Sequence, residues 1–351
     1  MRLRRIPLVA IVGLWACAPV DVPPATPTLY IFSHGESSFI ELDADLNPAG
    51  EIPFALPDGC GMGDVYAAPR GPMLAVELGC NFGPAVVLLD TETAHIEQPI
   101  TDSDSHFLAW APTGEALYLK VNNVNLPRIV KWDLDGGQQE LEISEFTYDL
   151  SPAPSADTFL YSYSTGIGMG SVMRLAKGSS DPGENIAVDE LYYIALARWS
   201  PDGQRIAFIK IPDSTIPFTL GELWVMDADG SGARRLAEAD AGHGTPPAWS
   251  ADGQYIAFVA RENPEDAQAD VSAHALISNL NLVTVNTGAL RRLTEFEDAR
   301  VQDLAWMPGS EVIAFTAVLN DRMTVFLQNT TSGEAKQILL DGICCASWLQ
   351  R

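Results

Sequence analysis

A unit of about 50 residues that occurs twice in succession constrains this sequence most. WSPDGQRIAF begins at Trp199, and WSADGQYIAF begins at Trp249. In each copy Ser-x-Asp-Gly predicts a tight turn, because Asp tolerates the third turn position and Gly takes the positive φ that follows. Apolar and polar residues then alternate, as they do in a half-buried strand. Each unit therefore opens with a hairpin whose inner strand is predicted to start near the tryptophan.

The segment between these copies completes the unit. LWVMDADGSGARRL, from Leu223 to Leu236, predicts a third strand, an Asp-x-Asp-Gly turn and a fourth strand. Four antiparallel strands per repeat are typical of a propeller blade. The two units resemble the WD40-like repeat of the TolB-type β-propeller family. Propellers of this type also form the non-catalytic domain of prolyl-oligopeptidase-like enzymes, so the resemblance implies a fold more firmly than an activity.

The tryptophan position recurs along the chain, and we call it the blade slot. We expect its tryptophans to pack between neighbouring blades. Ala67 and Pro154 are predicted to occupy the slot in two further blades. Six full blades and one shared between the chain ends predict an all-β, seven-bladed propeller of four-stranded antiparallel blades; six or eight blades are the alternatives. The five slot tryptophans are Trp110, Trp199, Trp249, Trp306 and Trp348.

The two chain ends are predicted to share one blade. LYIF (29–32), SFIELD (38–43) and IPFAL (52–56) predict three strands without a preceding tryptophan hairpin. ASWLQR (346–351) predicts one tryptophan-bearing strand with nothing after it. Pairing these strands closes the ring and removes the edges that an open sheet would expose.

The N-terminal segment predicts export. Residues 1–16 combine three arginines with a short apolar run, which is typical of a signal peptide. Leu14-Trp15-Ala16-Cys17 resembles a bacterial lipobox, although Trp15 departs from the small residue of that pattern. The resemblance implies that Cys17 is lipidated; an ordinary signal peptide and an uncleaved anchor are the alternatives.

The predicted domain order follows from these segments. Residues 17–28 form a lipidated cysteine and a proline-rich tether, and residues 29–351 form a single propeller domain. The α/β domain that precedes the propeller in TolB is not expected, so the role of TolB in the Tol–Pal system is not carried over. The predicted location is the outer side of the cytoplasmic membrane, the periplasm or the outer membrane.

The charge limits the partners. A net charge of −25 repels nucleic acid and anionic lipid headgroups at long range. We therefore expect no nucleic-acid partner, membrane contact only through the N-terminal lipid, and a monomer. Because the acidic residues are scattered, their simplest role is solubility.

Two insertions identify a candidate binding face. IPDSTIPFTLG (211–221) and the segment 261–279 lengthen the connection after the second strand of their blades. In a propeller these loops share one rim with the links between blades, and inserted loops on one rim are a common place for binding. A tolerated insertion without a role is the equal alternative. The candidate binding residues are Asp213, Arg261, Glu262, Glu265 and Asp266.

The cysteines predict one disulfide. Folding the hairpin about its Pro69–Pro72 turn places Cys60 opposite Cys80 or its neighbour, within disulfide range for paired strands. Export makes that bond plausible. A cross-blade bond from Cys344 or Cys345 is left open, and the spacing does not match a zinc knuckle.

The sequence contains no catalytic set. The five histidines are dispersed, and there is no Gly-x-Ser-x-Gly elbow or phosphate-binding loop. We predict no cofactor and no metal. The leading hypothesis is a non-catalytic, envelope-anchored lipoprotein that binds a protein, peptide or glycan through its loop-rich face. The alternatives are a hydrolase or lyase with a site at the channel mouth, and a gating propeller for a separate peptidase.

Overall fold

The strands form seven separate four-stranded antiparallel sheets. A computed structural model describes residues 27–43, 45–101, 103–122, 126–154, 157–240, 244–338 and 343–350. Cys17, the predicted signal peptide and most of the predicted tether lie outside the described residues. In the part of the chain that the structure describes, the one helical element is the short 3₁₀ helix η1 (Ala273–Ala275).

The first three strands along the chain belong to the closing blade, and three complete blades follow. The closing blade begins with β1 (Pro27–Ser33), β2 (Ser38–Leu42) and β3 (Pro48–Pro53). Blade 1 contains β4 (Cys60–Ala67), β5 (Met73–Cys80), β6 (Gly83–Asp90) and β7 (Ile96–Glu97). Blade 2 contains β8 (Asp104–Trp110), β9 (Ala116–Asn122), β10 (Arg128–Asp133) and β11 (Gln138–Glu140). Blade 3 contains β12 (Thr147–Pro152), β13 (Thr158–Tyr163), β14 (Ser171–Lys177) and β15 (Glu184–Asp189).

Three more blades and a final strand complete the chain. Blade 4 contains β16 (Tyr192–Trp199), β17 (Arg205–Pro212), β18 (Leu220–Asp227) and β19 (Arg234–Asp240). Blade 5 contains β20 (Ala248–Trp249), β21 (Tyr255–Arg261), β22 (Ser278–Thr284) and β23 (Leu290–Arg292). Blade 6 contains β24 (Ala299–Trp306), β25 (Val312–Leu319), β26 (Arg322–Asn329) and β27 (Ala335–Ile338). The last strand is β28 (Ile343–Gln350).

The predicted closure is confirmed. Strand β28 pairs antiparallel with β1, and Trp348 lies opposite Leu29. Blade 7 thus has the order β28-β1-β2-β3, which completes a ring of seven blades. The alternatives of six or eight blades are wrong.

Buried apolar side chains join each blade to the next. Among the described residues they form seven clusters, and each cluster combines side chains from two adjacent blades. The cluster between blades 4 and 5, for example, contains Leu223 of β18 and Phe258 of β21. Burial of apolar surface therefore stabilises the interfaces between blades, and no blade forms its core alone.

One predicted slot residue is wrong. Trp199 lies opposite Ile206, seven residues later, and Trp110 lies opposite Leu117 in the same way. In blade 3 the residue with this register is Pro152, which lies opposite Phe159. The slot residue of blade 3 is therefore Pro152 and not Pro154. The turn after the slot begins two residues earlier in blade 3 than the sequence alignment of the blades predicts.

Three slot tryptophans connect blades through their indole nitrogens. Trp249 Nε1 donates a hydrogen bond of 3.0 Å to the carbonyl oxygen of Arg198, which is the residue before the slot of blade 4. Trp110 and Trp199 repeat this bond to the preceding blade, at 2.9 and 3.0 Å. Trp306 instead donates to Ser310 in its own turn, at 2.8 Å. The indole nitrogen of Trp348 is buried without a hydrogen-bond partner.

The Cys60–Cys80 disulfide is confirmed. The two cysteines lie opposite each other in the β4–β5 ladder, at the end of the hairpin that the sequence identified. Cys344 and Cys345 lie in β28, and the proposal of a cross-blade bond from either one stays open.

Alternating connections give the ring two different faces. The turns from the first to the second strand and from the third to the fourth lie on one side, here called the turn face. The loops from the second to the third strand and the links between blades lie on the other side, here called the loop face. Both sequence insertions lie on the loop face: 213–219 joins β17 to β18, and 262–277 joins β21 to β22.

Candidate functional sites on the axis and on the loop face

The first strands of the blades surround a central cavity of about 600 Å³. In six blades its walls come from the part of the first strand nearer the turn face, and blade 5 contributes residues 244–246, which precede β20. The cavity therefore occupies the turn-face half of the channel. Its polar side chains include Arg198, Gln302 and three aspartates.

The three aspartates share one structural position. Asp64, Asp149 and Asp303 each lie three residues before the slot of their blade, in blades 1, 3 and 6. In all three first strands the pairing register shifts next to the aspartate. A bulge of this kind redirects side chains and is common beside functional sites. The repeat thus places a carboxyl on the axis at three equivalent points.

Burial makes these carboxyl groups harder to ionise. The Oδ1 atom of Asp303 accepts a hydrogen bond from the Thr316 backbone N–H at 2.8 Å, but burial outweighs this bond and raises the pKa of Asp303 to about 6. Burial likewise raises the pKa of Asp64. The Tyr66 hydroxyl, which donates a hydrogen bond to Asp64 Oδ2 at 3.2 Å, opposes this rise. Burial also raises the pKa of the Tyr66 phenol.

Asp149 connects two blades. Its Oδ2 atom accepts a hydrogen bond from the Ala197 backbone N–H of blade 4 at 2.8 Å, and Oδ1 lies 3.6 Å from Arg198 Nη1. Burial raises the pKa of Asp149, and Arg198 is the largest opposing influence. Neighbouring Tyr148 donates to the carbonyl of Ile194 at 2.9 Å, across the same interface. These contacts hold Asp149 and Arg198 as an ion pair in the cavity wall.

Proton transfer and the binding of a cationic group are the chemistry that this cavity supports, because it brings together three carboxyl groups whose pKa values are raised by burial. In the chain as described, no three His, Cys, Asp or Glu side chains converge so as to hold a metal ion. The described residues also include no helix with the length and hydrophobicity of a membrane span.

On the loop face, Asp213 joins three segments. Its Oδ2 atom accepts hydrogen bonds from the backbone N–H groups of Gly168 and Gly170, at 2.8 and 2.9 Å. Its own N–H donates to the carbonyl of Leu191 at 2.8 Å. The Gly168 bond is the largest of the influences that lower the pKa of Asp213. The carboxylate therefore ties the 164–170 loop of blade 3 to the 213–219 loop of blade 4.

Arg261 orders the longest loop from inside. Its guanidinium donates to Asp270 Oδ1 at 2.9 Å and to the carbonyl oxygens of Phe218 and Asp266, at 3.0 Å each. The side chain has no exposed surface. Arg261 thus joins the loops of blades 4 and 5, and its donors are directed at the protein itself.

The other predicted loop residues are more accessible. Glu262 lies 3.2 Å from Arg292 Nη1. Glu265 is exposed. Asp266 accepts a hydrogen bond from the Gln268 N–H at 2.9 Å within its own loop. Their contact with a ligand stays a prediction.

Exposed apolar side chains are concentrated on the loop face, which the sequence analysis did not predict. Of twelve large apolar side chains that are exposed among the described residues, ten lie on this face, and the two exceptions are Ile96 and Leu290. Five of the ten belong to neighbouring segments of blades 3 and 4, and we call them the apolar patch. The apolar patch consists of Ile167, Met169, Val188, Leu191 and Ile216.

Comparison with known proteins places the fold in context. No family model matches the chain. Over 126 residues it is 33% identical to the Tol-Pal system protein TolB of Anaeromyxobacter dehalogenans, a match that covers 34% of this chain and 26% of that protein. Over 143 residues it is 24% identical to dipeptidyl-peptidase 5 of Porphyromonas gingivalis, covering 40% of this chain and 20% of that protein. These matches span about a fifth to a quarter of the relatives' own length.

Solved structures share the architecture more completely. An oligogalacturonate lyase in complex with manganese matches with a TM-score of 0.58 and 12% identity, over 90% of this chain and 84% of that chain. TolB from Acinetobacter baumannii matches with a TM-score of 0.51 and 15% identity, over 89% of this chain and 78% of that chain. At these identities both likenesses show the fold alone.

The fold and the comparisons together define the class. This chain is a closed, all-β propeller of seven four-stranded antiparallel blades. Its structural neighbours include propellers of the TolB type.

Proposed function

We propose that this chain is a non-catalytic propeller of the bacterial cell envelope that binds a protein or peptide through its loop face. The main support is the one-sided distribution of exposed apolar side chains, ten of twelve in the described residues. Exposed apolar groups concentrated on one surface are typical of an interaction site. The ordering of that face by Asp213 and Arg261 adds a second argument, because a preorganised surface loses less entropy on binding.

Face-specific photo-crosslinking tests this proposal. A benzophenone amino acid replaces Glu265 on the loop face, and in a matched variant it replaces Thr287, which lies in an exposed turn of the same blade on the turn face. We expect defined crosslinked products in cells at position 265 and none at position 287. Equal crosslinking at both positions, or none at 265, would contradict a binding role for the loop face.

The envelope location rests on the sequence. The segment that ends at Cys17 has the features of a lipoprotein signal, and one relative is a Tol-Pal system protein. We expect radiolabelled palmitate to enter the wild-type protein and to be absent after Cys17→Ser. Unlabelled wild-type protein would remove the lipid anchor, and recovery of the protein from the cytoplasm would remove the envelope location.

The central cavity supports a second candidate function, a lyase or hydrolase activity on the axis. The observation that favours it is the set of three buried aspartates beside Arg198, because catalytic carboxyl groups commonly have raised pKa values. A propeller neighbour is a lyase, which supplies the class of substrate to test first. We expect Asp303→Asn to abolish any turnover of oligogalacturonate, with and without added Mn²⁺. No turnover by the wild-type protein in either condition would remove this candidate.

A further inference from the structure

The apolar patch is a connected surface made of three chain segments. Ile167 and Met169 lie in the loop after β13, Val188 and Leu191 lie at the end of β15 and in the link to blade 4, and Ile216 lies in the loop after β17. The five side chains are between 45% and 72% exposed. Exposure of these apolar side chains to water is unfavourable in free energy, and their burial by a partner would therefore stabilise a complex.

Backbone contacts hold these segments together. Gly170 has a φ of +62°, and a Cβ atom at this position would lie 2.0 Å from the carbonyl oxygen of Asp189. The 164–170 loop therefore packs directly on the link to blade 4 with no side chain between them. Ser171 Oγ accepts a hydrogen bond from the Ile194 N–H at 2.7 Å, beside the bonds that Asp213 makes. The patch is thus a rigid surface on which a partner can pack.

The charges around the patch are acidic. Glu190 is exposed and lies between Val188 and Leu191 in the link. The nearby cation, Lys210, is neutralised by Asp189, with Nζ 2.8 Å from Oδ2. The whole chain carries a net charge of −25. A second copy of the chain and an anionic membrane would both be repelled, whereas a basic partner would be attracted.

We propose that the apolar patch binds a polypeptide segment that carries apolar side chains next to lysine or arginine. The apolar side chains of this segment pack against Ile167, Met169 and Leu191, and its cationic groups lie near Glu190. This inference rests on the proposed function, because it specifies the chemistry of the partner that the loop face binds.

Synthetic peptides test this chemistry directly. The protein is the full chain carrying Cys17→Ser, so that no lipid contributes. The probes are fluorescein-labelled peptides of six Leu-Lys repeats, six Leu-Glu repeats and six Ser-Lys repeats, followed by fluorescence anisotropy. We expect saturable binding of the Leu-Lys peptide alone, weakened at least tenfold when NaCl rises from 20 mM to 500 mM, since exposed charges are then screened. Equal binding of the Ser-Lys peptide would overturn the apolar part of the inference, and binding of the Leu-Glu peptide would overturn the charged part.

Paired variants locate the binding. We expect Ile167→Ser combined with Leu191→Ser to weaken the Leu-Lys peptide at least tenfold. Leu290→Ser, at a position that is more than half exposed on the turn face, leaves the affinity unchanged. These side chains are exposed, so the substitutions preserve folding, which circular dichroism and thermal unfolding verify. Unchanged affinity in the double variant, or equal losses in both, would overturn the inference.

Two further results separate the possible outcomes. Cosedimentation with phosphatidylcholine vesicles in the absence of peptide binding would assign the patch to a lipid surface and overturn the inference. Crosslinking at position 265 without any peptide binding would leave the proposed function standing and remove this partner chemistry. Absence of both crosslinking and peptide binding would remove the two together.

Discussion

The two faces of the ring achieve order in different ways. On the turn face, short repeated motifs satisfy their own polar groups: Ser200 Oγ donates to Asp202 and accepts from the Arg205 N–H, and Ser250 repeats both bonds. On the loop face, two residues that belong to no repeat, Asp213 and Arg261, hold long irregular loops. The repeat therefore builds the scaffold, and the irregular loops provide a surface that distinguishes this propeller from others.

The largest loss of stability is expected for Arg261→Met, which tests whether the order of the loop face depends on this one residue. Arg261→Met leaves Asp270 and three loop carbonyls without their donor, so we expect about 4 kcal/mol of local destabilisation, at roughly 1 kcal/mol for each lost hydrogen bond. Hydrogen exchange should show protection lost in 213–219 and 262–277 and retained in the turns of the turn face.

Arg292→Met is the matched control for this variant. Arg292 lies beside Glu262 at the surface, where an ion pair contributes about 0–1 kcal/mol. Unchanged protection of the two loops in Arg261→Met would show that the loops are ordered without the guanidinium.

A substitution in the central cavity, Asp303→Asn, is expected to raise the stability of the protein, by less than Arg261→Met lowers it. Asp303 has a pKa of about 6 in the folded protein against an ordinary value of 3.8, so the fold binds a proton that the unfolded chain releases. The contribution of Asp303 to wild-type stability therefore falls as pH rises from about 4 to about 6 and is constant above that pH. Asp303→Asn cannot ionise and should be about 3 kcal/mol more stable than wild type at pH 7. Urea unfolding at pH 4 and pH 7 measures this difference.

Asp202→Asn serves as the control on the turn face. The Ser200 hydroxyl and the Gln204 N–H lower the pKa of Asp202, so this carboxylate contributes stability that is lost as pH falls below its ordinary range. The two variants should thus move in opposite directions at pH 7. Equal pH profiles for Asp303→Asn and wild type would show that Asp303 is well solvated.

The tryptophans allow a comparison between regular and irregular blades. Trp249→Phe keeps an aromatic ring but leaves the carbonyl of Arg198 without its donor between two blades, and we expect a loss of about 2 kcal/mol. Trp306→Phe removes a bond within an accessible turn, where water can substitute, and should cost less than about 1 kcal/mol. Thermal unfolding of both variants measures the difference, and equal losses would contradict a special role for the inter-blade bond.

The smallest effect concerns the repeated turn. Ser200→Ala removes the acceptor of the Arg205 N–H and the donor to Asp202, and we expect a loss of about 1 kcal/mol. Ser332→Ala, in an exposed turn of the same face whose side-chain bond is a longer 3.3 Å contact, should change stability by less. Equal values for the two serines would show that the Ser-x-Asp-Gly turn has no special stability.

The scaffold was predictable because each of its features has a periodic signal. The slot tryptophans, the Ser-x-Asp-Gly turns and the unmatched strands at the two ends predicted seven closed blades, and strand register predicted the Cys60–Cys80 bond. Pro152 was missed because proline occurs twice in that turn and only the ladder to Phe159 fixes the register.

The two candidate sites were less accessible from sequence. The sequence signal for the three cavity aspartates, Asp64, Asp149 and Asp303, is weak. It consists of Asp, then Val or Leu, then one further residue, then the slot residue. This pattern can be recognised only after the slot of each blade has been placed correctly. The apolar patch has no such signal, because its five residues come from three segments without periodicity. Arg261 was predicted as a binding residue from its place in an insertion, whereas its burial depends on the packing of that loop against its neighbour.

The pairing of β1 with β28 also affects how the molecule is made. Strands β1 and β28 pair in blade 7 although all the other blades lie between them in the chain, so β1 is synthesised well before its innermost partner. Until that partner is available, β1 has an unpaired edge and the Leu29 side of the blade lacks Trp348. Ring closure therefore waits until β28 has been synthesised, and a chain that lacks β28 would form an open, aggregation-prone arc.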